Sequence, residues 1–537
     1  MSRTKMLIVG WDGATFDIIK PLVDKGKLPN IAALMRNGVW GRLDSTIPPL
    51  TPVAWTSMCT GVNPGKHGIY DAMMYNQENR KVGFVNATMR KVKPIWSILR
   101  ERSKNVGVIN VPMTYPPDAV NGFVISGMFT PDGVADFMYP AELKAEIEDK
   151  FGKYIIECPR IDDPSAYLKV IIEMIDYREK ITLYLIEHQL WEFFFVVFMA
   201  SDRVQHFYWK YLDPLHPEHD KYGDAVAIIY ERLDKSLGKI LHKVGSNVNI
   251  MMVSDHGSGP LNTAFFLNNW LIKNGYLFLK EDVAKVLKTR RLSFLRRIAS
   301  SIKRRLPSVV QEKIKLGSPN RQEELNIFAS LIDWEKTIAF SEGVSGGVYI
   351  NDVNDPVKYQ KILEKIRKDF YSIKDPSGKN VIKNVYTRNE IYKGNYVTKA
   401  PDLTIICDYG YQIIAPNEFL FFNKKYEDAL FLSHKWSGRH EQYGIFILSG
   451  PAVKKNVEIT DARILDITPT ALYLMNEPIP DYMDGKVLEK AILKEYFVEH
   501  PVNFNTDSIE QEKTDKALTA EEEKEIAERL KSLGYIE

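Results

Sequence analysis

Three apolar runs along the chain share one pattern, and each runs into an aspartate: KMLIVGWDG at residues 5–13, LWEFFFVVFMASD at 190–202 and VNIMMVSDHG at 248–257. They are short, rich in β-branched and aromatic residues, and lack the two-residue alternation of a half-exposed strand. Such runs predict strands buried on both faces of a parallel sheet. Between them, DPSAYLKVIIEMIDYREKITLYLIEHQ and GDAVAIIYERLDKSLGKILHKV place apolar residues three and four apart, as amphipathic helices do. Strand and helix in alternation predict an α/β fold, a mostly parallel central sheet with helices on both faces. Further strands are expected at NVGVINV, SGGVYIND, PDLTIICD and YGIFILSG.

The rhythm breaks at 276–342, which reads as an insertion or cap. Within it, residues 285–315 carry eleven Lys and Arg against the single Glu312, interleaved with apolar residues. A basic amphipathic helix pair of this kind suits peripheral contact with an anionic membrane surface, or a solvated flap. The tail TAEEEKEIAERLKSLGYIE at 519–537 predicts a capped terminal helix after a polar linker. The chain then divides into a first part of the core (1–275), a basic helical insertion (276–342), a second part of the core (343–495), and a linker with a C-terminal helix (496–537).

Composition narrows the class. At 537 residues, with 45% hydrophobic and 26% charged residues, the chain can bury a large core. A net charge of +2 gives no whole-chain attraction to nucleic acid, and no nucleic-acid-binding module is expected. Cys59, Cys158 and Cys407 are far apart and form no C-x-x-C pair, which argues against a disulfide framework and a thiolate zinc site. The apolar start reaches Asp12 within a few residues, unlike a secretory signal, and no run of eighteen apolar residues exists. The expectation is a soluble, cytoplasmic protein, with peripheral membrane contact through 285–315 as the exception.

Ligands in open α/β sheets bind outside the carboxyl ends of the strands. Asp12, Asp202 and Asp255 are therefore expected on one rim. His256 follows Asp255 directly, and His206 follows Asp202 by four residues, one helical turn. His440, in SGRHEQYGIFILSGP, is expected in a loop just before another strand. Three carboxylates and three imidazoles form a ligand set for two divalent ions, and oxygen and nitrogen donors without thiolate suit Zn or Mn. Singly, each residue has an ordinary reading as a turn residue, helix cap or satisfied histidine. Recurrence on several strand ends favours the joint reading. In PPLTPVAWTSMCTGVNPGKHGI, Thr51 before Pro52 predicts a helix start capped by the Thr51 hydroxyl, and Gly61 predicts its end.

Taken in order, VGWDG, PPLTPVAWTSMCTGVNPGKHGI, SDRVQH, VSDHGSG, SGRHEQYGIFILSGP and ILDITPTALYLMNEPIPDYMDGKVL resemble the motifs of the alkaline phosphatase superfamily, most closely its type I phosphodiesterase/nucleotide pyrophosphatase branch. The resemblance implies one ion held by Asp202, His206 and His440, and a second held by Asp12, Asp255, His256 and the Thr51 oxygen. It further implies that Thr51 attacks phosphorus and forms a covalent phospho-threonine, which water releases. Coordination to a cation is one way to ionise so weak a nucleophile at neutral pH.

The resemblance also marks a departure. Such enzymes carry an Asn shortly after the nucleophile for phosphate binding, and here Ala54 or Trp55 stands in that place. Asn110, Lys66 and His67 are the substitute phosphate contacts expected from the sequence. GVNPGKHG lacks the spacing of a P-loop, and Thr51-Pro52 lacks the C-x-P-x-R context of a sulfatase. The expected function is metal-dependent cleavage of a phosphodiester or pyrophosphate bond in a phosphorylated small molecule. The alternatives are phosphomonoester hydrolysis or mutase-like phosphotransfer at the same centre, and a membrane-associated binding protein with a vestigial site.

Overall fold

The computed structural model describes residues 4–76, 81–131, 133–280, 329–343, 345–351, 353, 355–414, 430–433, 437–509 and 518–533. The basic stretch 285–315, and with it the expected membrane contact, lies outside the described residues.

The three Asp-ended runs form adjacent strands. Lys5–Trp11 pairs in parallel with Phe193–Phe198 on one side and Val248–Val253 on the other. They sit at the centre of a ten-stranded sheet, which continues through Val106–Ile109, Gly122–Ile125 and Met138–Tyr139 at one edge. Toward the other edge lie Tyr443–Ser449, Gly38–Asp44 and two short strands near residue 460. Tyr443–Ser449 runs antiparallel to both neighbours, and Met138–Tyr139 is antiparallel to Gly122–Ile125; the other pairings are parallel.

Burial on both faces explains the missing alternation. In Phe193–Phe198, Phe193, Phe195 and Val197 enter the core on one face, and Phe194, Val196 and Phe198 the core on the other. Every residue of that strand is buried, so a polar residue in it would cost more than a phenylalanine. The expected helices Pro164–His188 and Ala225–Val244 cover one face through Ile171, Ile175, Ile229 and Leu233. The helices Thr51–Thr60 and Ile467–Leu474 cover the opposite face. The C-terminal helix Ala520–Leu533 starts at a reciprocal Thr519–Glu522 cap and buries Ile526 and Ala527 against that same core.

Residues after the third Asp-ended strand build a smaller lobe. Ala339–Ser341, Gly347–Ile350, Leu403–Cys407 and Ile382–Thr387 pair antiparallel as a sheet of their own. The helix Pro356–Tyr371 and the segment around Trp270 and Tyr276 close a separate core over it. The strand Gly257–Phe266 ties the lobe to the main sheet's rim. It pairs with Gly438–Glu441 at its start and with Gly410–Ile414 and Phe431–Ser433 further on.

Two local expectations are corrected. His440 lies in the strand Gly438–Glu441, opposite Ser258, and not in a loop, because pairing with Gly257–Pro260 supplies the order that GRHE lacks in propensity. Thr51 is the first residue of its helix and not its cap: Leu50 takes the extended cap conformation, with no side-chain cap. Gly61 closes that helix in the left-handed region at φ 68°.

Candidate active site

The parallel strands bring their carboxyl ends to one rim. Asp12 follows Trp11 directly, Asp202 and His206 share one face of the helix Ala200–Tyr208, and Asp255 and His256 lie just past Val253. His440 arrives from its strand and Thr51 from its helix start. Thr51, Asp12, Asp202, Asp255 and His256 are fully buried, whereas His206 and His440 keep a small exposed edge.

Each of the three histidines is fixed at one nitrogen. The Nδ1 atoms of His206, His256 and His440 lie 2.8, 2.9 and 3.1 Å from the carbonyl oxygens of Gly438, Gly257 and Pro49. A carbonyl only accepts, so each Nδ1 carries the proton and each Nε2 presents a lone pair. Those lone pairs converge. His206 and His440 bring their Nε2 atoms within 3.1 Å, and the rings of His256 and His440 stack at 3.6 Å. His256 Nε2 also stands 3.2 Å from Thr51 Oγ1, so the hydroxyl donates to it.

The carboxylates are fixed in the same way, one oxygen each. Trp55 Nε1 donates to Asp12 Oδ2 at 2.7 Å, Arg203 Nη1 to Asp202 Oδ2 at 2.9 Å, and the Gly13 amide to Asp255 Oδ1 at 3.3 Å. The second oxygens face the imidazoles. Asp202 Oδ1 lies 3.2 Å from His206 Nε2 and 3.6 Å from His440 Nε2. Asp12 Oδ1 and Asp255 Oδ2 lie 3.6 and 3.3 Å from His256 Nε2 and, among the described residues, have no hydrogen-bond partner. Gly13 permits this packing: at φ 66°, a Cβ there would sit 3.0 Å from Asp202 Oδ1.

Electrostatics follow from this crowding. Burial, then the charge of Asp202, pushes the Asp12 carboxyl well above its usual range, with Trp55 partly offsetting them. Asp255 is likewise raised by burial and by Asp12 and Asp202. Burial would raise Asp202 too, but positive charge beside it, on His206 when that ring is protonated, on Arg203, and likewise on His440, holds it below its ordinary value. Burial lowers His256 to about 4, and burial beside His256 takes His440 well below its usual value. Arg203 also pairs with the buried Glu157 at 3.2 Å, so that one cation serves two carboxylates. Among the described residues, Asp12 and Asp255 have no Lys or Arg paired with them.

This donor set fits divalent cations. Buried carboxylate oxygens without a donor and imidazole lone pairs facing one another are costly in themselves, and a cation satisfies them together. The ligand atoms of Asp12, Asp255 and His256 lie within 4.8 Å of one another, as do those of Asp202, His256 and His440. His206 adjoins the second group through the short contacts given above. Oxygen and nitrogen donors from carboxylate and imidazole are compatible with Zn and with Mn.

The three phosphate contacts expected from the sequence stand apart from this cluster. Asn110 is buried with its amide donating to the Ile156 carbonyl and its oxygen accepting from Tyr154, beside a small internal cavity of about 30 Å³. Lys66 pairs with Asp484 and the Tyr482 carbonyl, both at 2.7 Å. His67 accepts the Ile69 amide at Nδ1 and reaches Ser57 at Nε2, and burial lowers it to about 3. Sequence reasoning missed Trp55 and Arg203 as anchors of the cluster. Adjacency to Asp202 in SDR was the available signal for Arg203, and nothing local marked Trp55.

The family model of type I phosphodiesterase/nucleotide pyrophosphatase matches residues 6–428, a stretch that holds each of these side chains except His440. No curated protein matches the chain. Among solved structures, phosphonoacetate hydrolase from Sinorhizobium meliloti 1021 is similar at 13% identity and a TM-score of 0.53, over 88% of this chain and 96% of that one. Human ectonucleotide pyrophosphatase/phosphodiesterase 5 is similar at 14% identity and a TM-score of 0.50, over 91% and 98%. At such identities these likenesses establish the fold, and the family match establishes the lineage. The chain is a phosphoric ester hydrolase that belongs to the type I phosphodiesterase/nucleotide pyrophosphatase family of the alkaline phosphatase superfamily.

Proposed function

We propose that the chain cleaves a phosphodiester or pyrophosphate bond through a covalent phospho-threonine at Thr51, with two divalent ions, Zn or Mn, at the Asp/His cluster. Asp202, His206 and His440 would hold one ion, and Asp12, Asp255 and His256, with the Thr51 oxygen, the other. The observation that carries this reading is that six side chains each spend one polar atom on a structural partner and turn the other toward the cluster, where His256 Nε2 meets the Thr51 hydroxyl. When bound, the ions would lower the pKa of the Thr51 hydroxyl and offset charge on the phosphoryl and leaving oxygens.

The residues themselves do the rest. Thr51 opens a ten-residue helix, so its oxygen stands at the positive dipole end, which favours a phosphate. In the first half-reaction the Thr51 Oγ–phosphorus bond forms as the ester bond breaks, and the leaving oxygen takes up a proton. Water then attacks phosphorus, and the threonine oxygen leaves and regains its hydrogen. Burial of Thr51 and the fixed histidines excludes bulk water and removes reorganisation from the barrier.

The test is Thr51→Ala. Turnover of bis(4-nitrophenyl) phosphate should fall at least about a thousandfold, the scale expected for loss of a nucleophile, while metal analysis still finds two ions per chain. Full activity in this variant would sink the covalent mechanism. Faster turnover of 4-nitrophenyl phosphate than of the diester would move the assignment to a monoesterase.

A further inference from the structure

The chain between the strand Gly38–Asp44 and the helix that opens at Thr51 belongs to no helix or strand, so repeating backbone bonds do not fix it. Pro48 and Pro49 have no N–H to give. Side chains hold this loop instead, and the carbonyls from Ser45 to Pro49 each accept a hydrogen bond from one. Gln442 Nε2 donates to Ser45 at 2.8 Å and to Thr46 at 3.3 Å, and the Tyr392 hydroxyl donates to Ile47 at 2.7 Å. Thr46 Oγ1 donates to Pro48 at 2.7 Å, and His440 Nδ1 to Pro49 at 3.1 Å.

These donors are not equivalent. Thr46 belongs to the loop and moves with it. His440 lies in the strand Gly438–Glu441 and Gln442 directly follows that strand, so both belong to the rim of the cluster itself. Tyr392 comes from the smaller lobe, on the connection between its strands Ile382–Thr387 and Leu403–Cys407. It is 3% exposed, and its ring packs on Tyr70 at 5.2 Å between centroids. The same connection grips the chain beyond the Thr51 helix: the Tyr70 hydroxyl donates to the Tyr396 carbonyl at 2.6 Å, and the Tyr396 amide to the Gly65 carbonyl at 2.9 Å. Of these contacts between lobe and core, the one from Tyr392 reaches the approach to Thr51.

Without that hydroxyl the Ile47 carbonyl turns to find another donor, because an unpaired carbonyl under a buried ring is costly. The tether then slackens four residues ahead of Thr51, whose Oγ1 stands 3.2 Å from His256 Nε2. Misplacing a reacting group by about 1 Å can cost ~10²-fold in rate.

We propose that Tyr392 is a positioning residue for the nucleophile: its hydroxyl, carried on the smaller lobe, holds the loop that aims Thr51 at the cluster. The proposal rests on the Thr51 reading. Tyr392 acts through the backbone, so metal and substrate bind as before when its hydroxyl is lost, while the attack on phosphorus slows.

Kinetics and NMR together test it. Tyr392→Phe in the full-length, metal-loaded enzyme removes the hydroxyl and keeps the ring on Tyr70. The kcat for bis(4-nitrophenyl) phosphate should fall at least about tenfold, with KM within about twofold of wild type and bound metal unchanged. Tyr70→Phe is the control: it also removes a hydrogen bond between lobe and core, but it leaves the Ile47 carbonyl its donor, and kcat should stay within about twofold of wild type. Threonine methyl NMR reads the geometry directly and follows the folded protein even where a variant is partly unfolded. The Thr51 methyl signal, assigned by its absence in Thr51→Ser, should shift or split in Tyr392→Phe and stay in place in Tyr70→Phe. Wild-type kcat in Tyr392→Phe, an equal loss in Tyr70→Phe, or loss of bound metal from Tyr392→Phe overturns the proposal. Full activity in Thr51→Ala would overturn the covalent mechanism instead, and the Thr51 methyl signal would then decide by itself whether Tyr392 positions that residue.

Discussion

Trp55→Phe isolates the anchoring of a single carboxylate. The indole Nε1 donates to Asp12 Oδ2 at 2.7 Å, and both residues are fully buried. A charge-assisted hydrogen bond of this kind contributes about 1.5–3 kcal/mol. Phenylalanine keeps an aromatic ring to pack on Phe195, whose centroid lies 5.8 Å from the indole, but it vacates the space where the indole reaches Gly10. A void of about 40 Å³ there adds roughly 1 kcal/mol at ~24 cal/mol per Å³. The metal-free protein should thus lose about 3 kcal/mol, read as a lowered urea midpoint. Metal binding should suffer separately. Without its donor Asp12 turns more freely, and its carboxyl, already raised by burial and by Asp202, moves further up, so that protons compete better with metal. Affinity should fall about 10- to 100-fold, the usual cost of losing an outer hydrogen bond to a ligand, and more at pH 6.5 than at pH 8. Zinc titration against a chromophoric chelator at both values measures this. A variant with a lowered midpoint but wild-type zinc affinity at both pH values would show that Trp55 only fills space.

Arg203→Met should destabilise the metal-free protein by about 3–5 kcal/mol, because Asp202 and Glu157 then share a buried site without their cation. Adding Glu157→Gln should recover part of that loss in urea unfolding, and equal losses in the single and double variants would refute the pairing argument. For pH, His67 is held near 3 in the fold against 6.5 in the free side chain, so the unfolded chain binds a proton that the folded chain refuses. Stability from this group is complete above about pH 6.5 and is lost as pH falls toward 3, by up to roughly 5 kcal/mol at 1.36 kcal/mol per unit. His67→Gln should flatten the slope of stability against pH between 6.5 and 4 relative to wild type, and an unchanged slope would contradict the burial argument.

The six side chains that meet beside Thr51 were legible as a set because the parallel sheet repeats one device. Each buried strand runs apolar to its end and is followed closely on the same rim by an aspartate, so Asp12, Asp202 and Asp255 announce themselves by position. Their anchors carry no such mark. Trp55 looked like a misfit where an asparagine was expected, since its partner Asp12 lies 43 residues away. Glu157 lies 46 residues from Arg203, and the strand of His440 exists only because Gly257–Pro260 pairs with it. Lys66 and His67 misled for the converse reason. Their place shortly after the nucleophile suggests phosphate contacts, but Asn63 caps a one-turn helix that sends Lys66 to Asp484 and His67 to Ser57. A cleft of about 170 Å³ beside His206 and His440 was invisible because Pro49, Lys383, Tyr409 and Gln412, which line it, have ordinary roles in their own segments and meet only when the lobe folds over the rim. Chemistry that the backbone repeats can be read along the chain. Contacts between residues far apart in the chain cannot, and this is why the sequence pointed to the reaction while the anchors of the cluster emerged only with the fold.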